Sequence, residues 1–163
     1  MNNPYDVSFE HVFDQISEPL ADELILTWKK FGMLPEKEDG SKRASQAVVI
    51  ARNAAGEIIG ISTAFPAFID QLKVTMFAFR CMVAPTNRVP GLLTKLTVET
   101  RKQLEKAHQE NYPACKGIIT EIYNDKLSEK RREAVFSASG FVFIGYSKNG
   151  YQIRVYYFKG AKI

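Results

Sequence analysis

Apolar and polar residues alternate from Tyr5 to Val12, with Tyr5, Val7 and Phe9 on one side, and this two-residue period predicts a first strand. The period then changes. Leu20, Leu24, Trp28 and Phe31 fall on one helical face, and Ser17 is placed to cap a helix running to Phe31. The charged stretch from Gly32 to Gln46, with Pro35 and Gly40, reads as the longest loop, with room for a short helix; loops of that length are often functional. Ala47 to Arg52 and Glu57 to Phe65 predict two strands joined by the turn Asn53-Ala-Ala-Gly56, with Pro66 expected to end the second. Val74 to Val83 predicts an aromatic-rich strand, and Pro90 to His108 a helix with Leu92, Leu93, Leu96 and Leu104 apolar. Gly117 to Tyr123 reads as a short buried strand, and Asp125 to Ser139 as a basic helix stopped by Gly140. Phe141 to Gly145 and Tyr151 to Phe158 predict a last hairpin through Ser147-Lys-Asn-Gly150. The strand at Val74, the helix after it and the strand at Gly117 form a βαβ crossover, so those two strands should be parallel neighbours in an otherwise antiparallel sheet.

Composition narrows the class without fixing the chemistry. The 163 residues fit one domain, long enough to bury a core, and no repeat, low-complexity stretch or domain boundary interrupts them. Hydrophobic residues at 45% and charged residues at 25% describe a water-soluble chain with no bias to disorder. A net charge of +4 suits an anionic ligand, but the basic residues are interspersed with acidic ones, and no nucleic-acid-binding motif is present. Cys81 and Cys115 are too few and too separated for a metal set, and His11 and His108 lack ligand spacing. Reduced, buried thiols in a cytoplasmic protein are the expectation. The opening Met1-Asn-Asn-Pro-Tyr-Asp6 has neither a basic start nor an apolar run, so no signal peptide is expected, and no run is long enough to span a membrane.

The most informative segment joins the strand ending at Val83 to the helix near Pro90. Val83-Ala-Pro85-Thr-Asn-Arg88-Val-Pro-Gly91 is a short loop that opens a helix, and the first turn of a helix carries N–H groups without carbonyl partners and a partial positive charge. Pro90 suits that first turn, and Gly91 lets another group approach the backbone. A phosphate-bearing ligand at a strand–helix junction is the resulting expectation.

The order of elements, with three local motifs, resembles the GCN5-related N-acetyltransferase (GNAT) superfamily. Val83-x-Pro85-x-x-Arg88-x-x-Gly91 is similar to the family's Val-x-Pro-x-x-Arg-Gly-x-Gly-x-Gly/Ala pyrophosphate loop. Ile122-Tyr-Asn124 ends the next strand where the family usually carries an Asn. Ser137-Ala-Ser-Gly140-Phe141 is similar to the closing Tyr-x-x-x-Gly-Phe signature. The resemblance covers roughly Ala47 to Phe158. It implies an α/β (α+β) fold, with a mixed, mostly antiparallel central sheet of about seven strands and helices on both faces. It implies acetyl-CoA, or another acyl-CoA, as co-substrate, no metal, and a small-molecule or peptide amine as acceptor, with neither nucleic acid nor membrane as partner. Family members often dimerise through the last strands, so a homodimer is compatible with it.

Carried onto this sequence, the resemblance has Met82 and Val83 offer backbone groups to the pantetheine amides, as an added strand would. Arg88, Val89, Gly91, Leu92 and Leu93 would cradle the pyrophosphate. Arg88 would add charge there or be a solvated loop arginine; Asn124 would contact the pantetheine arm or cap the following helix. Lys126 and Lys130-Arg131-Arg132 would reach the adenosine phosphates or form a solvated face. Two departures stand out. Val89 and Leu93 replace small family residues, and Phe136 stands where many members carry the tyrosine that protonates the leaving thiolate. A catalytically impaired protein that senses CoA or binds a partner is therefore the alternative to an enzyme.

Acyl transfer to an amine needs a neutral amine, a donor for the carbonyl oxygen and a proton for the leaving thiolate. The strand Thr75 to Val83 holds no carboxylate and no histidine. Glu121, three residues before Asn124, is the candidate base, otherwise a rim carboxylate; some family members that acetylate protein N-termini carry a Glu on this strand. Tyr123 and Tyr146 are candidates for the missing phenol, otherwise core packing with an exposed hydroxyl.

Overall fold

Ser17 is extended and its hydroxyl accepts the Leu20 N–H at 3.3 Å, so the first helix, α1 (Glu18–Lys30), starts where its cap stands. The computed structural model describes residues 6–85, 89–123 and 130–163. Strand β1 (Ser8–His11) precedes α1, and the short helix α2 (Gly40–Ser45) lies in the long loop, capped by Asp39, whose Oδ1 accepts the Lys42 N–H at 3.1 Å. Then follow β2 (Ala47–Arg52), β3 (Ile58–Ile69), β4 (Val74–Val83), α3 (Leu92–Glu110), β5 (Cys115–Ile122), β6 (Val142–Tyr146) and β7 (Gln152–Tyr157). They form one seven-stranded sheet in the order β1-β2-β3-β4-β5-β7-β6. The crossover pair β4 and β5 is parallel, as its connection through α3 requires, while β1/β2, β2/β3, β5/β7 and β6/β7 are antiparallel.

Two predicted boundaries fail for identifiable reasons. Pro66 does not end β3, which runs on to Ile69. The last rung with β2 is Ala47↔Thr63, so a residue without an N–H at position 66 breaks no bond to that neighbour. The helix predicted from Asp125 to Ser139 does not extend over residues 131–139. Residues 125–129 lie outside the described residues, and of the remainder only Lys130 is helical. Val135 instead bridges Val142, the Phe143 N–H donates to the Ala134 carbonyl at 2.8 Å, and the Phe136 N–H donates to the Phe141 carbonyl at 2.9 Å. Backbone pairing to the edge of β6 has replaced helical bonding.

By contact the chain divides into two compact units, Met1–Ala64 with Cys81–Gln103, and Phe65–Arg80 with Leu104–Ile163. In the first, Leu24 and Trp28 of α1 and Ala44 of α2 pack with Ile50, Ile61 and Met82 of the sheet. Arg43 closes this cluster, its guanidinium 4.4 Å from the Trp28 ring centroid and donating to the Met33 carbonyl. The other face of β3 meets α3. Thr100 donates to the Ser62 hydroxyl at 2.6 Å, and a Cβ at Gly60 would lie 3.0 Å from Leu96. Helices therefore cover both faces of this part of the sheet.

In the second unit, Phe77 packs against Tyr112 and Phe158, and Phe79 and Tyr156 against Phe141. On the opposite face Val74, Met76 and Val155 form a smaller cluster with Ile69, Leu72 and Ile119. Gly117 of β5 stands opposite Tyr157 of β7. A Cβ there would lie 2.1 Å from the Tyr156 carbonyl oxygen and 2.9 Å from the Tyr157 Cα, both backbone atoms that cannot step aside. Gly117→Ala should therefore destabilise the protein by about 3 kcal/mol or more, the upper range for overpacking, read as a lower urea midpoint at unchanged slope.

Candidate functional site

Within the first unit, β4 ends in the sequence predicted to hold phosphate. The Ala84 N–H donates to the Ile59 carbonyl at 2.8 Å and fixes the end of the strand. Met82 is buried, its side chain in the cluster under α1 and α2, and Val83 is half-buried. Arg88 lies outside the described residues. Gly91 has φ +75°, a left-handed conformation that excludes it from the helix, so α3 begins at Leu92 and Pro90 stands before the first turn, not in it. A Cβ at Gly91 would meet nothing within 4 Å, so its backbone faces open space. The Leu92 N–H is spent on the Val89 carbonyl at 3.1 Å, and the Gly91 carbonyl accepts the Lys95 N–H at 3.0 Å. Leu92 is the residue sunk into the core, whereas Leu93 is half-buried and occupies the first helical turn. An open glycine backbone against the start of a 19-residue helix fits a diphosphate.

Within the second unit, β4 and β5 pair through Thr75↔Cys115, Phe77↔Ile118 and Ala78↔Ile119, and among the described residues no rung follows. The Phe79 carbonyl is taken instead by the Thr120 hydroxyl at 3.1 Å. A side chain has replaced the backbone ladder at this point. Glu121 comes next, half-buried, and Tyr123 follows, 60% exposed. Antiparallel pairing sets Glu121 opposite Ile153 of β7, which brings Tyr123 to Tyr151; their ring centroids lie 4.8 Å apart, edge to face.

Glu121 and Tyr123, the two predicted catalytic residues, are thus brought together. The Tyr123 phenol is raised above its ordinary value, first by burial, then by the negative charge of Glu121 and the hydrogen bond between the two, while Arg80 opposes the shift. Sequence reasoning passed over Arg80, Thr120 and Tyr151. The two-residue alternation of Thr120-Glu-Ile-Tyr123 and the partnering of β5 with β7 were the signals for them. Asn124 and Lys126 lie outside the described residues.

Other candidates fall elsewhere. Tyr146 pairs with Gln152, on the strand face away from Glu121, and its ring rests 5.2 Å from Phe143. Phe136 covers a buried cation. The Arg154 guanidinium carbon is 3.6 Å from its ring centroid, and Arg154 also donates to Gln152 Oε1 at 3.0 and 3.1 Å and to the Ala134 carbonyl. The Cys81 thiol is pushed up to about 12 by burial, so it holds almost no thiolate near neutral pH and is no nucleophile. Among the described residues no group of three or more His, Cys, Asp or Glu could hold a metal ion.

No protein-family model matches the chain, and no curated protein does. Solved structures do. Arabidopsis thaliana NAA60 in complex with acetyl-CoA is similar at a TM-score of 0.62 and 17% identity, covering 93% of this chain and 99% of that one. The yncA protein of Salmonella typhimurium, solved with its cofactor acetyl-CoA, is similar at a TM-score of 0.66 and 9% identity, covering 97% of both chains. The ribosomal-protein-S5-alanine acetyltransferase of Vibrio fischeri is similar at 0.61 and 13%, covering 96% of both. The chain has the GNAT acetyltransferase fold.

The coupling of Tyr123 to Glu121 is open to titration. Glu121→Gln removes a negative charge and a carboxylate acceptor, two of the four causes that hold the phenol up, so Tyr123 should ionise at a lower pH than in the wild type. Ultraviolet difference titration against a Tyr123→Phe reference reads the shift.

Proposed function

We propose that the protein is an acyl-CoA-dependent N-acyltransferase that moves an acetyl group from acetyl-CoA, or another acyl group from its CoA ester, directly to a primary amine. One observation carries this reading: in a GNAT fold, Glu121 stands just beyond the last β4–β5 rung with Tyr123 hydrogen-bonded to it. Residues 89–93 bind the diphosphate of the co-substrate, with Gly91 leaving its backbone open and Leu93 supplying a first-turn N–H. Met82 and Val83 offer main-chain groups to the pantetheine arm, with Arg88 and Asn124 as further contacts. No metal takes part.

Glu121 accepts the proton that the acceptor ammonium must lose before its nitrogen can attack. Tyr123, whose raised phenol is a poor acid, donates to Glu121 and orients it, a role different from that of the missing thiolate acid. The C–N bond forms as the C–S bond breaks, the nitrogen releases its remaining extra proton to solvent, and the departing thiolate takes a proton from solvent. The acceptor is a small molecule or a peptide N-terminus, not nucleic acid or a membrane. No helix among the described residues is long and apolar enough to cross a membrane. A cytoplasmic location, supported by two free thiols, and a homodimer through the last strands, supported by exposed Ile144 and Tyr146 on β6, belong to the same proposal. A CoA-binding module without turnover is the second reading, favoured by Phe136 covering Arg154.

Acetyl-CoA at a hundredfold excess over its Kd should stabilise the fold by about 2.7 kcal/mol, seen as a higher Tm. Free thiol should then appear only when an amine is added. Glu121→Gln should lower kcat/KM by on the order of 100-fold or more near neutral pH. Part of that loss should return at higher pH, where the amine is already neutral. A Tm rise without thiol release from any amine would favour the binding module. Turnover by Glu121→Gln equal to wild type at all pH values would remove Glu121 as the base.

A further inference from the structure

The strand face that carries Glu121 can be followed residue by residue. Met76, Val155 and Ile119 pack together on it, and alternation along the strands adds Ala78 and Arg80 of β4, Glu121 and Tyr123 of β5, and Ile153 and Tyr151 of β7. Arg80 and Glu121 stand two residues beyond the Ala78↔Ile119 rung on neighbouring strands, and both act on Tyr123. Tyr151 and Tyr123 stand edge to face beside them, and Ile153 is opposite Glu121. One carboxylate, one guanidinium, two phenol rings and an aliphatic side chain therefore share one partly open patch.

We infer that this patch is an acceptor site for a zwitterionic α-amino acid with an apolar or aromatic side chain, its ammonium set against Glu121 and its carboxylate against Arg80. This rests on the transfer reading, and it selects among amines by charge. A polyamine would bring a second cation towards Arg80, where like charges repel. A plain monoamine or a peptide N-terminus has no carboxylate beside its ammonium, and a guanidinium is built for carboxylates. The two tyrosines and Ile153 receive the side chain, and their ring faces also favour the ammonium.

The test offers the wild-type protein, with acetyl-CoA, four acceptors: L-phenylalanine, L-phenylalaninamide, phenethylamine and spermidine. Thiol release should be at least tenfold more efficient in kcat/KM with phenylalanine than with each of the others. Arg80→Gln should abolish that preference, chiefly by raising KM for phenylalanine. The comparison of phenylalanine with its amide needs no variant, so a variant that failed to fold would leave the question decided. Equal or better turnover of the amide or phenethylamine would overturn the amino-acid site while leaving the transferase reading intact. If no acceptor released thiol, calorimetric titration with phenylalanine in the presence of acetyl-CoA would separate the two. Binding that Arg80→Gln weakens would support the site against the transferase reading; absence of binding would overturn the amino-acid site.

Discussion

The hydrogen bond from the Thr120 hydroxyl to the Phe79 carbonyl is the constraint on which the candidate chemistry depends. A parallel ladder satisfies its backbone groups rung by rung, and a strand that leaves it must find another donor for the carbonyl left behind. Thr120 supplies one from its side chain. The pair β4 and β5 can then stop pairing after Ala78↔Ile119 without leaving a bare carbonyl. β5 continues to Ile122 against β7 alone. Glu121 is therefore held rigidly on one side and left accessible on the other. Valine in place of Thr120 would remove the donor while nearly keeping the shape, whereas serine would keep the hydroxyl and lose only a methyl.

Much of this was legible in the sequence because local rules and the fold agree. Ser17 and the Asn53–Gly56 turn sit where their side chains or φ angles demand, and β2 and β4 match the residues that their apolar runs marked. The parallel crossover followed from the connection between its strands. Failures came where a tertiary partner overruled a local signal. Pro66 reads as a stop only if its missing N–H is needed, and the ladder with β2 had already finished. The segment before Gly140 reads as a helix by composition, but Ala134 and Phe136 found backbone partners across β6. Glu121 and Tyr123 were readable as strand residues, whereas Arg80 and Tyr151 join them only through the sheet order, which no single strand announces.

Phe136 marks where sequence similarity and local physics part. The resemblance raised its lack of a hydroxyl as a loss. The structure gives the ring an occupation of its own, because Arg154 is 1% exposed and a cation so placed is several kcal/mol unfavourable unless its donors and charge are met. Gln152 Oε1, the Ala134 carbonyl and the face of Phe136 meet them. Burial still lowers the basicity of Arg154, and the nearby charge of Glu133 works against that. The ring and the carbonyl lie two residues apart on the same segment, so one arginine fixes the strand-like course of residues 134–136. An arginine that needs both a ring and a carbonyl from this segment is incompatible with the helix composition implied there. The phenylalanine and the non-helical course of residues 134–136 are then one fact: the segment is shaped to seal a buried charge, and acid chemistry at the thiolate must come from elsewhere.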